Sequence, residues 1–193
     1  MKNATDYQTE ILASIVARRE YELDKNESCD SMLAHLDAYA KRLQNVSVCA
    51  RLLAANVDSN ILNRQERNNA RFNIYAFDKL LNDVSFATMN HYSKAILRAT
   101  LALKSADLLL THADAVQACT LDATQKDKSR AKIISAARYQ KHVALSTAST
   151  QSSSSINSLC ALSVLVESKN DANHVVYSLA DNEHTSALVA LAQ

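Results

Sequence analysis

The chain of 193 residues contains no glycine and no proline. At average usage of about 7% and 5%, roughly fourteen glycines and ten prolines would be expected in a chain of this length. No proline interrupts a helix, and without glycine no position reaches positive φ at low steric cost. Long helices joined by turns of other residues follow. The absence of glycine also excludes a Walker A loop, a G-x-G-x-x-G dinucleotide turn and a G-x-S-x-G nucleophile elbow. Tryptophan is missing too, and the composition offers no aromatic cage. No apolar run approaches the ~18 residues of a membrane span. The opening MKNATDYQTE lacks the apolar stretch of a signal peptide. The expectation is a cytoplasmic protein without a membrane partner. Cys29, Cys49, Cys119 and Cys160 form no C-x-x-C pair and read as buried free thiols of a reducing compartment.

What is present describes a folded protein: 48% hydrophobic and 21% charged residues, enough for one sizeable core or two small ones. The net charge of +1 identifies no partner. Its distribution is uneven. Residues 124–145 hold six bases (Lys126, Lys128, Arg130, Lys132, Arg138, Lys141) against Asp127, a net +5. From residue 146 onward Lys169 faces Glu167, Asp171, Asp181 and Glu183, a net −3. The basic segment suits contact with phosphate, or else forms a solvated helix face.

Apolar spacing predicts the helices. Ile11, Leu12, Ile15, Val16 and Leu23 mark an amphipathic helix over 5–26, broken at 26–28, with Ser28 able to cap the next. Met32, Leu36, Tyr39, Leu43, Val46, Ala50 and Leu53 then alternate four and three apart, a heptad stripe that serves either a core or a dimer interface. Residues 56–60 (NVDSN) form a turn from Asn and Asp, which tolerate the left-handed region best after glycine. NRQERNNAR (63–71) would align Arg64, Arg67 and Arg71 on one helical face, either for phosphate or simply exposed to solvent. Helical periodicity resumes at Phe72, Tyr75, Ala76, Leu80 and Val84. Asn90 can cap a helix over 91–104, Thr111 and Asp114 form a capping box, and Thr124–Asp127 opens a basic helix over 126–142.

Two adjoining features carry the functional signal. STASTQSSSSINSLCALS (146–163) opens as a Ser-rich linker and becomes a helix from near Thr150. That helix buries Ile156, Leu159, Cys160 and Leu162 and exposes Gln151, Ser152, Ser154, Ser155 and Asn157. Short hydroxyl and amide side chains permit close approach to a DNA major groove and hydrogen-bond base edges or phosphates, and the free N–H groups of a first helical turn favour phosphate. Then the period changes from helical to alternating: Val164 and Val166, and Val175, Tyr177 and Leu179, predict two strands joined by the turn 169–173.

In order of elements, Ser154–Leu159, Leu162–Glu167 and Val175–Leu179 resemble the end of a winged helix-turn-helix, as in MarR-like and related regulators. Those usually carry glycine where Ser163 stands. The resemblance covers residues 91–180 and is architectural. It implies that the helix over 91–104 is the domain's first. Either 112–121 or the basic helix 126–142 precedes the recognition helix; the basic one is preferred, with 143–149 as the turn. Lys128, Arg130, Lys132, Arg138 and Lys141 would then flank the DNA backbone, Lys169 would sit on the wing, and Thr150, Gln151, Ser154 and Asn157 would supply specificity.

The six histidines show no ligand spacing, and Cys119 with His112 has no local support as a nucleophile pair. No catalytic residue, cofactor or metal is assigned. The expectation is a mainly α protein: a helical region over 1–87, then a winged-helix-like domain with one β-hairpin over 88–193. It would bind DNA as a dimer in transcription or replication control, the 32–53 stripe holding the dimer together. The alternative is a helical interaction or assembly protein of a virus or mobile element.

Overall fold

The computed structural model describes residues 2–25, 29–63 and 74–192. The predicted Ser28 cap, and Arg64, Arg67, Arg71 and Phe72, lie outside these. The chain is mainly helical with a small antiparallel sheet. It divides into two units, Met1–Val84 and Ser85–Gln193.

The first unit holds α1 (Ala4–Lys25), α2 (Asp30–Leu43), α3 (Val46–Ala54) and α4 (Ile74–Asp83). α1 packs on α2 and α3, and α2 on α4. The buried stripe of α1 is Tyr7, Ile11, Ser14, Ile15, Arg18 and Glu22, with Arg18 Nε donating to Glu22 Oε1 at 2.6 Å. Val16 and Leu23, expected inside, are exposed. The heptad stripe is not continuous. α2 ends at Leu43, and Asn45 caps α3 by accepting from the Ser47 N–H at 3.0 Å. Leu36, Tyr39 and Leu43 are fully buried, with Tyr39 edge-on to Phe77, whereas Val46 is exposed. Leu36, Tyr39 and Leu43 of the stripe therefore build a core.

The second unit contains α5 (His91–Lys104), β1 (Leu110–Thr111), α6 (His112–Ala118), α7 (Lys128–Ile134), α8 (Leu145–Ala161), β2 (Leu165–Lys169), β3 (Val175–Leu179) and α9 (Glu183–Ala192). The hairpin runs from Leu165 opposite Leu179 to Lys169 opposite Val175. β1 adds a third strand on the other side of β3, giving the order β1-β3-β2. Two residues are too few to show a period, so only the hairpin was legible in the sequence. α5, with Ala95, Ile96, Leu97, Ala99 and Leu103 buried, is the central helix against which α6, α7, α8, α9 and the sheet pack.

Turns without glycine follow one pattern. Asn56, Asp107, Ser163 and Asn173 have φ of 52–60°. Three of them end helices in the same way. After α8 the Ser163 N–H reaches Cys160 O at 3.0 Å and the Val164 N–H reaches Leu159 O at 2.8 Å, and Val164 and Leu159 are both fully buried. This is a Schellman closure, and Asn56 and Asp107 make the equivalent bonds. Asn and Asp accept the left-handed region with little strain, but serine has less local compensation. Ser163→Gly is expected to raise stability by about 1 kcal/mol; an unchanged or lower thermal midpoint in a circular-dichroism melt would refute the strain argument.

Candidate nucleic-acid interface

α8 begins at Leu145, five residues before the expected start, so the presumed linker is helix. Three of its hydroxyls turn onto preceding carbonyls: Thr150 Oγ1 to Ser146 O (2.9 Å), and Ser152 Oγ (2.9 Å) and Ser153 Oγ (3.0 Å) to Ser149 O. Such back-bonding lets a Ser-rich segment remain helical. Thr150 is consequently in the second turn, and its N–H is not among the free donors of the first. Ala144 precedes the helix without a side-chain cap.

α8 packs on α5, α6 and β2. Its inner side carries Ala148, Ser152, Ser155, Ile156, Ser158 and Leu159. Ser152 and Ser155 were expected on the outside; both are fully buried, because the small hydroxyls lie on the side facing the packed helices. The outer side presents Ser146, Thr150, Ser153 and Asn157, flanked by half-buried Gln151 and Ser154. His112 Nε2 on α6 lies 3.0 Å from Ser153 Oγ. Cys160 is half-buried, and burial, with a smaller contribution from the Glu167 charge, pushes its thiol up to about 11, away from nucleophilic use. α8 carries no charged residue.

The hairpin turn is held by Asn170, whose Oδ1 accepts from the Ala172 N–H (3.1 Å) and the His174 N–H (2.9 Å), while Asn173 takes positive φ. Lys169 is exposed near its tip, beside exposed Glu167 and Asp171.

The basic segment is organised differently from the expectation. Asp127, rather than Thr124, caps α7, accepting from the Ser129 and Arg130 N–H groups. Thr124 instead donates its N–H to Gln117 Oε1 at 2.7 Å. α7 stops at Ile134 instead of reaching residue 142, because the Tyr139 N–H bonds Ala118 O (2.7 Å) and the Leu121 N–H bonds Lys141 O (2.8 Å), drawing 135–141 back along the end of α6. α7 packs on α5 and α6. The helix laid most extensively against α8 is α6, the less favoured of the two alternatives.

The predicted phosphate contacts separate accordingly. Lys128 and Lys132 are exposed on α7. Arg130 is committed inside the protein: its Nε lies 3.0 and 3.1 Å from the two carboxylate oxygens of Asp114, and its Nη2 also reaches Asp114 and Leu109 O. Asp114 is fully buried and holds the capping box with Thr111, while Gln125 Nε2 donates to its Oδ1 at 2.8 Å. Burial alone would raise the Asp114 pKa; the hydrogen bonds from Arg130 and Thr111 outweigh it and hold the carboxyl below its ordinary value. Arg130 thus fastens α7 to α6 and to Leu109, the residue before β1.

Arg138 and Lys141 join two bases that sequence reasoning missed, Lys94 and Arg98 of α5. The four line one cavity of about 280 Å³ together with His91 and Tyr139. The His91 and Tyr139 rings stack at 4.3 Å and 19°. Lys94 and Arg98 stand one helical turn apart, a signal available in the sequence, but nothing local indicated that residues 138–141 return to α5.

No family model, curated protein or solved structure matches this chain.

Proposed function

We propose that the C-terminal unit is a winged-helix-like DNA-binding domain, and that the protein is a sequence-specific regulator of transcription or replication acting as a dimer. The observation that carries the reading is the succession α8–β2–β3. A helix with an outer face of short hydroxyl and amide groups leads through a Schellman turn at Ser163 into a hairpin, which β1 braces from the far side. A braced hairpin stands as a fixed prong beside the helix. Thr150, Gln151, Ser154 and Asn157 on that helix suit base edges, while Lys128, Lys132, Arg138 and Lys141 on neighbouring segments suit phosphates. Dimerisation would bring two such units to paired half-sites.

The reading is tested by fluorescence-anisotropy titration of labelled random-sequence duplex at 50 and 200 mM salt. With about four phosphate contacts, affinity should fall about 100-fold across that range. No binding at 50 mM would refute it. A second reading, a helical interaction or assembly protein of a virus or mobile element, draws on a different observation. α8 is uncharged, the hairpin sets Lys169 against Glu167 and Asp171, and Val166 and Val175 are exposed on it. A salt-independent or absent DNA signal would favour that alternative.

A further inference from the structure

The cavity between the first half of α5 and the 137–141 segment has features of an anion site. Lys94 and Arg98 approach from α5, and Arg138 and Lys141 from the returning segment. Among the described residues, none of those lining it is acidic. Four cations gathered with no carboxylate among the described lining residues repel one another, a cost that an anion between them would relieve. Ion pairs satisfy other bases of the chain: Arg18 with Glu22, Arg42 with Asp78 and Arg130 with Asp114. Around this cavity the bases rest on π-faces and carbonyls instead. Lys94 Nζ lies 5.0 Å from the centre of the Phe86 ring, and Lys141 Nζ 5.9 Å from that of Tyr139. Arg98 Nε donates to Ala192 O at 3.2 Å. Arg138 Nε is closed from solvent and has no hydrogen-bond partner among the described residues, an unmet donor beside the cavity. Aromatic faces hold the cations in place without neutralising them.

We propose that this cavity binds the phosphomonoester group of a small molecule. At about 280 Å³ it takes a phosphate with a few further atoms and is too small to enclose a whole cofactor. A phosphomonoester carries close to two negative charges at neutral pH and three acceptor oxygens, which matches clustered Lys and Arg donors better than a singly charged carboxylate does. The segment that supplies Arg138 and Lys141 continues through 142–144 into the first turn of α8, so occupancy would fix the chain entering that helix.

The site shares Arg138 and Lys141 with the DNA reading but does not rest on it, and its test contains no duplex. Isothermal titration calorimetry of the full chain at 20 mM salt would use inorganic phosphate, glucose 6-phosphate, adenosine monophosphate and acetate, with a 5′-phosphorylated dinucleotide to represent a nucleic-acid end. Saturable binding of the two small phosphomonoesters at submillimolar concentration, at least tenfold tighter than acetate and no weaker than the dinucleotide, is expected. Lys94→Gln and Lys141→Gln should each weaken it about tenfold with an unchanged melting midpoint, and Lys128→Gln should not. The proposal is overturned if the small phosphomonoesters do not saturate by 10 mM, if acetate binds as well, if the dinucleotide binds tighter, or if Lys94→Gln and Lys141→Gln, folded as wild type, bind unchanged.

Discussion

Asp114→Ala is expected to destabilise the C-terminal unit by about 3 kcal/mol, the lower end of the cost of removing one partner from a buried ion pair. The lower end applies because the Arg130 side chain retains 17% exposure, whereas Asp114 has none. The substitution removes the α6 capping box and the carboxylate that receives Arg130 and Gln125. It leaves a half-buried guanidinium with only Leu109 O. A cooperative unit of this size should lose on the order of 15 °C in melting temperature. Arg130→Ala should also destabilise, and the double variant should lose less than the sum, because each single change strands the other group. Additive losses, or an Asp114→Ala cost below 1 kcal/mol, would contradict the assignment. The same carboxylate gives a pH dependence. Its folded pKa is depressed, so its contribution is fully present above the unfolded value of about 3.9. It is lost as pH falls from there through the lower folded value. Wild type should therefore weaken in that acid range, and the slope should shrink in Asp114→Ala.

The second large effect concerns DNA. Exchange of both Lys128 and Lys132 for Glu should weaken binding about 30-fold at 0.15 M salt, equally on every sequence, and should reduce the salt slope by about 2. Both side chains are exposed on α7, and neither takes part in the Asp114 network, so the fold should be unaffected. Arg130 is unsuitable for such an experiment: any change there confounds DNA contact with stability. If the double variant binds like wild type, α7 is not a phosphate-contacting element.

The helical character and the hairpin could be read from the sequence because each shows its own period over several residues. The Asn90 and Thr111–Asp114 caps were equally legible, because a cap is a local chemical event. Asn56 in a glycine-free turn was anticipated for the same reason. What escaped was non-local. Arg130 looked like any other base of its segment until Asp114, sixteen positions earlier, was found buried beneath it. Ser152 and Ser155 looked like surface residues, because serine gives no apolar signal even where its small size lets it pack inside. The heptad over 32–53 kept its spacing across a break at residues 44–45, and periodicity alone cannot detect a cap that starts a new helix in the same phase. Lys94 and Arg98 acquired meaning only once 137–141 was seen to fold back on α5.

The outer face of α8 is the surface proposed to read DNA. The direct measurement is selection of bound duplexes from a random pool by wild type and by Asn157→Ala, at one fixed salt concentration. Wild type should enrich a defined site, and the variant should relax preference by about tenfold at one or two positions of that site while keeping the same salt slope. Enrichment of no site by wild type, or an identical site with identical preference from both proteins, would contradict the account.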